Sequence, residues 1–182
     1  MRGRACAIGA LLILAGCGTE EIPVPDPTVS YTPPPAAAAG GACELLDFPL
    51  IEEFTGTRFE VSAASKHKKT QTCVVQTEEG GLPDLSLSVT AASVSSAAFA
   101  EMVPSGAKTV KGLGKAAYRV SRAPDDDRGA TAEVGWLTDD GRVLCLRYTF
   151  AEGEDKAAAD ELTGRLLDLA KKIDVAAENA EE

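Results

Sequence analysis

Residues 130–150 read ATAEVGWLTDDGRVLCLRYTF, and the pairing of this stretch with itself decides the architecture. Two runs, 130–137 and 142–150, alternate apolar and polar residues on either side of Asp139-Asp140-Gly141. A two-residue turn would set Trp136 opposite Cys145 and split the apolar residues between opposite faces. A three-residue loop with Gly141 in the left-handed region pairs Trp136 with Leu144, Val134 with Leu146, and Ala132 with Tyr148. That register unites the apolar residues on one face, and it predicts an antiparallel hairpin with one buried side.

Working outward, 116–121 reads as the preceding strand, with Tyr118 and Val120 on one face. Leu85, Leu87 and Val89 alternate with Ser86, Ser88 and Thr90, as in a half-buried strand. Residues 59–65 and 70–77 read as two strands around a polar turn at 66–69. Three helices complete the set. Asp47 can cap one over 48–54, with Pro49 in its first turn and a stop at Gly56. Ser95 or Ser96 can cap a second through Phe99 to Val103, ended by Pro104. The third covers about 155–173, where Ala159, Leu162, Leu166, Leu169 and Ile173 form one stripe at helical spacing. The pattern predicts an α+β fold, an antiparallel sheet flanked by helices as an α/β/α sandwich, preceded by a disordered tether.

The chain has 182 residues, of which the globular domain is expected over 43–174. Before it, Arg2 and Arg4 precede a short apolar run ending in Leu14-Ala15-Gly16-Cys17. The run falls short of the ~20 residues that span a bilayer and reads as a signal peptide over 1–16. Leu14, Ala15 and Gly16 before Cys17 resemble the lipobox of bacterial lipoproteins, in which the cysteine takes a diacylglyceryl group and becomes the first mature residue. Two acyl chains give stable anchoring. Residues 17–42 then form a lipidated Pro/Ala-rich linker, whose prolines favour an extended, semi-rigid spacer. Residues 175–182 form an acidic tail expected to fray.

Eighteen basic and 28 acidic residues give a formal charge of −10. Losing Arg2 and Arg4 leaves 16 against 28, or −12. Such a chain has no general positive field for nucleic acid, and it is repelled by anionic headgroups, so that attachment falls to the lipid. The local positive spot in this reading is Lys66-His67-Lys68-Lys69: Lys66, Lys68 and Lys69 form either a solvated turn or a contact for anionic envelope material. His67 is the single histidine and sits among those lysines. No Gly-x-Ser-x-Gly occurs, the two Ser-x-x-Lys matches (Ser65 to Lys68, Ser105 to Lys108) lack companion motifs, and no zinc or calcium ligand set is spaced correctly. No catalytic residue, metal or cofactor is expected. Cys6 leaves with the signal and Cys17 is lipidated, so Cys43, Cys73 and Cys145 remain for an oxidising compartment. Three single pairings are open. Cys43–Cys73 would pin the start of the domain to an early strand and leave Cys145 free on the face opposite Leu144 and Leu146; Cys43–Cys145 is the rival.

Cys17 after a lipobox, a proline/alanine tether, Cys43-Glu44-Leu45-Leu46, Cys73, and Val110-Lys111-Gly112-Leu113-Gly114-Lys115-Ala116-Ala117-Tyr118 together resemble an uncharacterised family of actinobacterial lipoproteins, a domain of unknown function. The resemblance implies a PsbP-like α/β/α sandwich over about 43–174 and favours the Cys43–Cys73 disulfide. It brings no activity. The functional expectation is a non-catalytic binding or accessory module of the cell envelope, lipid-anchored on the extracytoplasmic face of the cell membrane. Its partner would be an envelope protein or an apolar ligand. The alternative is a lipid or small-solute carrier with an apolar cavity between sheet and helices, and a hydrolase ranks below both.

Overall fold

A computed structural model of the chain describes residues 35–91, 93–125 and 128–179, residues 178 and 179 by their backbone alone. The expected signal peptide, Cys17, most of the expected linker, Asp126 and Asp127, and the end of the expected acidic tail lie outside the described residues. Seven strands form one antiparallel sheet: β1 (Val61–His67), β2 (Thr70–Gln76), β3 (Asp84–Thr90), β4 (Lys108–Val110), β5 (Ala116–Arg122), β6 (Thr131–Leu137) and β7 (Val143–Thr149). Their spatial order is β1-β2-β3-β7-β6-β5-β4. Two meanders, β1 to β3 and β4 to β7, are thus joined along β3 and β7, where Leu87 faces Leu146 and Leu85 faces Tyr148.

The hairpin takes the register that unites its apolar residues. Trp136 pairs with Leu144, Val134 with Leu146, and Ala132 with Tyr148. Thr138 donates its backbone N–H to the Arg142 carbonyl at 2.9 Å, closing the loop over Asp139-Asp140-Gly141. Gly141 has φ +89°, a conformation in which a Cβ is strained.

The apolar face carries Val75, Leu85, Leu87, Val134, Trp136, Leu144 and Leu146, all fully buried. Helices α1 (Phe48–Thr55) and α3 (Lys156–Asn179) belong to the same core, through Ile51 and the Leu162, Leu166, Leu169 and Ile173 stripe. The opposite face carries a smaller apolar cluster, in which Phe99 of α2 (Ser96–Met102) packs with Tyr118, Val120 and Leu137. Ser95 caps α2, its hydroxyl accepting from the Ala98 N–H at 3.2 Å. Asp47 holds the cap position of α1 without a side-chain capping bond, and Gly56 ends that helix in the left-handed region.

Several boundaries differ from the sequence reading, for identifiable reasons. The docked chain begins before Cys43: Ala36–Ala39 and Gly41–Leu45 form two 3₁₀ turns, with Ala36 and Ala42 buried. The Ser62 hydroxyl donates to the Ala36 carbonyl at 3.2 Å, and alanines lose no side-chain entropy on docking. Helix α3 does not stop at Ile173. Ala177 continues the apolar stripe and is fully buried, Asp174 accepts from the Trp136 indole N–H at 2.8 Å, and Arg142 donates to the Ala177 carbonyl at 3.3 Å. Strand β1 runs on through Lys66 and His67, leaving Lys68-Lys69 as the turn. Strand β4, three residues long, is too short to show alternation and was not expected.

Candidate functional site

Cys43 and Cys73 are joined by a disulfide, with Cα atoms 4.9 Å apart and both residues fully buried. It ties the second 3₁₀ turn to β2, and Cys145 is the free cysteine among the described residues. Lys66, Lys68 and Lys69 are all exposed, on the β1 edge and its turn. Lys66 lines a shallow 280 Å³ depression with Gln71 and Gly41, while Lys68 and Lys69 lie outside it. The lysine motif is therefore not gathered into one site. Cys17 lies outside the described residues.

The face of the sheet opposite α1 and α3 holds a buried polar group that the sequence reading did not single out. Glu133 on β6 is 2% exposed. It accepts from the Tyr118 hydroxyl of β5 at 2.9 Å and from Arg147 Nε of β7 at 2.8 Å. Arg147 Nη2 lies 2.6 Å from the same carboxylate, and Arg122 Nη1 lies 3.6 Å away. Both carboxylate oxygens are therefore engaged, and the group links three strands. The Tyr118 ring lies across Gly135: a Cβ built there would fall 2.4 Å from its Cε1 and Cζ. Cys145 is the direct cross-strand neighbour of Gly135.

Burial, and next the Glu133 charge, push the Cys145 thiol up to about 12. Burial first, with Cys145 and Glu133 beside it, also raises the Tyr118 hydroxyl. Burial works against the Arg147 charge, but the Glu133 carboxylate outweighs it and holds the guanidinium above its ordinary value. A thiol near 12 is not a nucleophile at neutral pH, and a carboxylate with both oxygens bonded is not a free base. The group's chemistry is that of a register lock across β5, β6 and β7.

At the β4 edge of the sheet, opposite the lysine turn of β1, a cavity of about 410 Å³ gathers Lys108, Arg119, Arg122 and Lys156 around Ser121 and Asp160. Asp155 caps α3 by accepting from the Ala157 and Ala158 N–H groups at 2.8 and 3.1 Å, which sets Lys156 in the first turn. Lys156 Nζ reaches Asp160 at 2.7 and 2.8 Å. That ammonium and then the Ser121 hydroxyl hold the Asp160 carboxyl below the usual carboxylate range. The sequence carried a signal for this edge. Between Glu101 and Asp125 there are five basic residues (Lys108, Lys111, Lys115, Arg119 and Arg122) and no acidic one. Spread over two strands and a loop, they form no run, unlike the compact Lys66–Lys69 motif.

No protein-family model, curated protein or solved structure matches the chain.

Proposed function

We propose that the chain is a lipoprotein anchored through Cys17 on the extracytoplasmic face of the cell membrane, and that its folded domain is a non-catalytic binding or accessory module of the envelope. The observation that carries the reading is the buried Cys43–Cys73 disulfide. Structural disulfides persist in oxidising compartments, which is where a chain with the Leu14-Ala15-Gly16-Cys17 leader would be sent. The resemblance to actinobacterial lipoproteins and to a PsbP-like sandwich belongs to this proposal, and helices on both faces of the sheet support it.

A binding module is favoured over an apolar carrier by how the interior is filled. Trp136, Leu144, Leu146, Leu166 and Leu169, each fully buried, occupy the space between sheet and helices where a carrier needs its cavity. A role without catalysis is supported by the high thiol of Cys145 and by the exposed position of His67 at the end of β1. Cells producing the Cys17→Ser protein should lose incorporation of radiolabelled palmitate and shift the protein out of the membrane fraction. Retention in that fraction with undiminished label would overturn the anchoring.

A further inference from the structure

The cavity at the β4 edge concentrates positive charge on a protein whose formal charge is −10. Its four cations are not equally committed. Lys156 is neutralised by Asp160, and Arg122 lies 3.6 Å from Glu133. Lys108 and Arg119 form no ion pair with any described residue; what acts on Lys108 is the more distant field of Asp160. These two residues are direct cross-strand partners in the β4–β5 ladder. Like charges placed directly opposite on neighbouring strands repel and destabilise the pairing. The one carboxylate lining the cavity, Asp160, is taken up by Lys156, and among the described residues none pairs with Lys108 or Arg119.

The surroundings add neutral groups suited to an anion. Ser105 and Gly106 border the cavity, while the Ser121 hydroxyl gives its proton to Asp160. Strand β4 pairs only with 117–119, so that Val120, Ser121 and Arg122 run past its end along the cavity wall. Two unneutralised cations facing one another call for a ligand of about two negative charges, which a phosphate monoester carries near pH 7. The Arg119 fork suits phosphate oxygens bidentately, and Lys108 supplies a point charge. A volume of 410 Å³ also leaves room for an organic group beyond the phosphate.

We infer that the cavity between β4, β5 and the first turn of α3 binds a phosphate dianion, free or carried as a monoester, with Arg119 and Lys108 as its principal contacts. This gives the binding-module reading a ligand class and rests on that reading for its biological setting alone. Membrane fractionation of Cys17→Ser tests the anchor separately, so either can fail without the other.

The test is calorimetric titration of the purified full chain in neutral detergent with inorganic phosphate and, separately, with glycerol 3-phosphate. Glycerol serves as the uncharged control. Saturable binding of either phosphate, and not of glycerol, is expected. Tighter binding of glycerol 3-phosphate would identify a phosphorylated headgroup or polyol as the source, and equal binding would identify free phosphate. Arg119→Gln should weaken binding roughly tenfold or more through loss of charge-assisted contacts. Its melting temperature without phosphate should not fall, because the substitution removes a repulsion. If that variant melts low, Lys108→Gln carries the same comparison. The combined Lys66→Gln, Lys68→Gln, Lys69→Gln variant should bind as the parent does. Absence of saturable binding to both phosphates, or unchanged affinity in folded Arg119→Gln and Lys108→Gln, would overturn the proposal.

Discussion

Gly135 carries more of the fold than its size suggests. It sits in the middle of β6, where glycine ordinarily weakens a strand, and the Tyr118 ring covers the space its missing side chain leaves. Gly135→Ala would drive a Cβ into that ring and displace the hydroxyl from Glu133. The expected loss is about 1–3 kcal/mol, read as a lower urea midpoint with an unchanged slope. The neighbouring Cys145 yields a prediction of reactivity. With its thiol near 12, the native protein should resist alkylation by iodoacetamide at pH 8, whereas the urea-unfolded protein should react readily. The same shift has a consequence for stability. A thiol raised from 9.0 keeps its proton longer in the folded state than in the unfolded state. Its contribution is therefore complete below about pH 9 and is lost as pH rises toward 12, and the raised Tyr118 hydroxyl acts in the same direction. Urea midpoints measured from pH 8 to 11 should fall. Part of this was legible: the register that unites the apolar residues also sets Glu133 opposite Arg147 and Gly135 opposite Cys145. The burial of that outward face and the reach of Tyr118 across Gly135 were not, because they depend on β5 and α2 covering it.

Elements whose apolar residues repeat over several turns or pairs were read correctly from the chain. The hairpin register followed from requiring one apolar face, and the α3 stripe named the residues that are buried. Helix α3 runs past its expected end because charge obscures the pattern: the acidic residues after 174 look like a fraying tail, although Ala177 lies one helical turn beyond Ile173. Asp174 instead satisfies the indole of Trp136, which is fully buried. Asp174→Ala leaves that N–H without its acceptor and should cost about 1–3 kcal/mol, with a shift in tryptophan emission checked alongside the denaturation curve. Strand β4 and the cationic cavity it helps to build escaped notice for a different reason. Three residues cannot display a period, and cations from separate elements converge only once the sheet has formed.

Across the whole molecule, the α+β architecture and antiparallel sheet were accessible from pattern; spacing left three pairings open, and the favoured one, Cys43 with Cys73, is the one formed. The observed bridge closes a loop over a sequence separation of 30. Replacing both cysteines by serine should cost about 3–4 kcal/mol in the chain-entropy view, measured by guanidinium unfolding in oxidising buffer. The position of that bridge also has a mechanical meaning. In a chain held to a membrane through Cys17, as proposed, tension enters the domain from its N-terminal side, meets the docked turn at Ala36 and its Ser62 hydrogen bond, and then reaches Cys43. There it divides, and the covalent link passes force directly into β2, a strand hydrogen-bonded on both sides, by β1 and β3. Helix α1 and the edge strand β1 lie within the closed loop, so once the Ala36 contact with Ser62 yields the pull bypasses them. Reduction of the bridge would send the pull on through α1 into β1, so that the sheet is peeled from its edge strand instead of being loaded at β2.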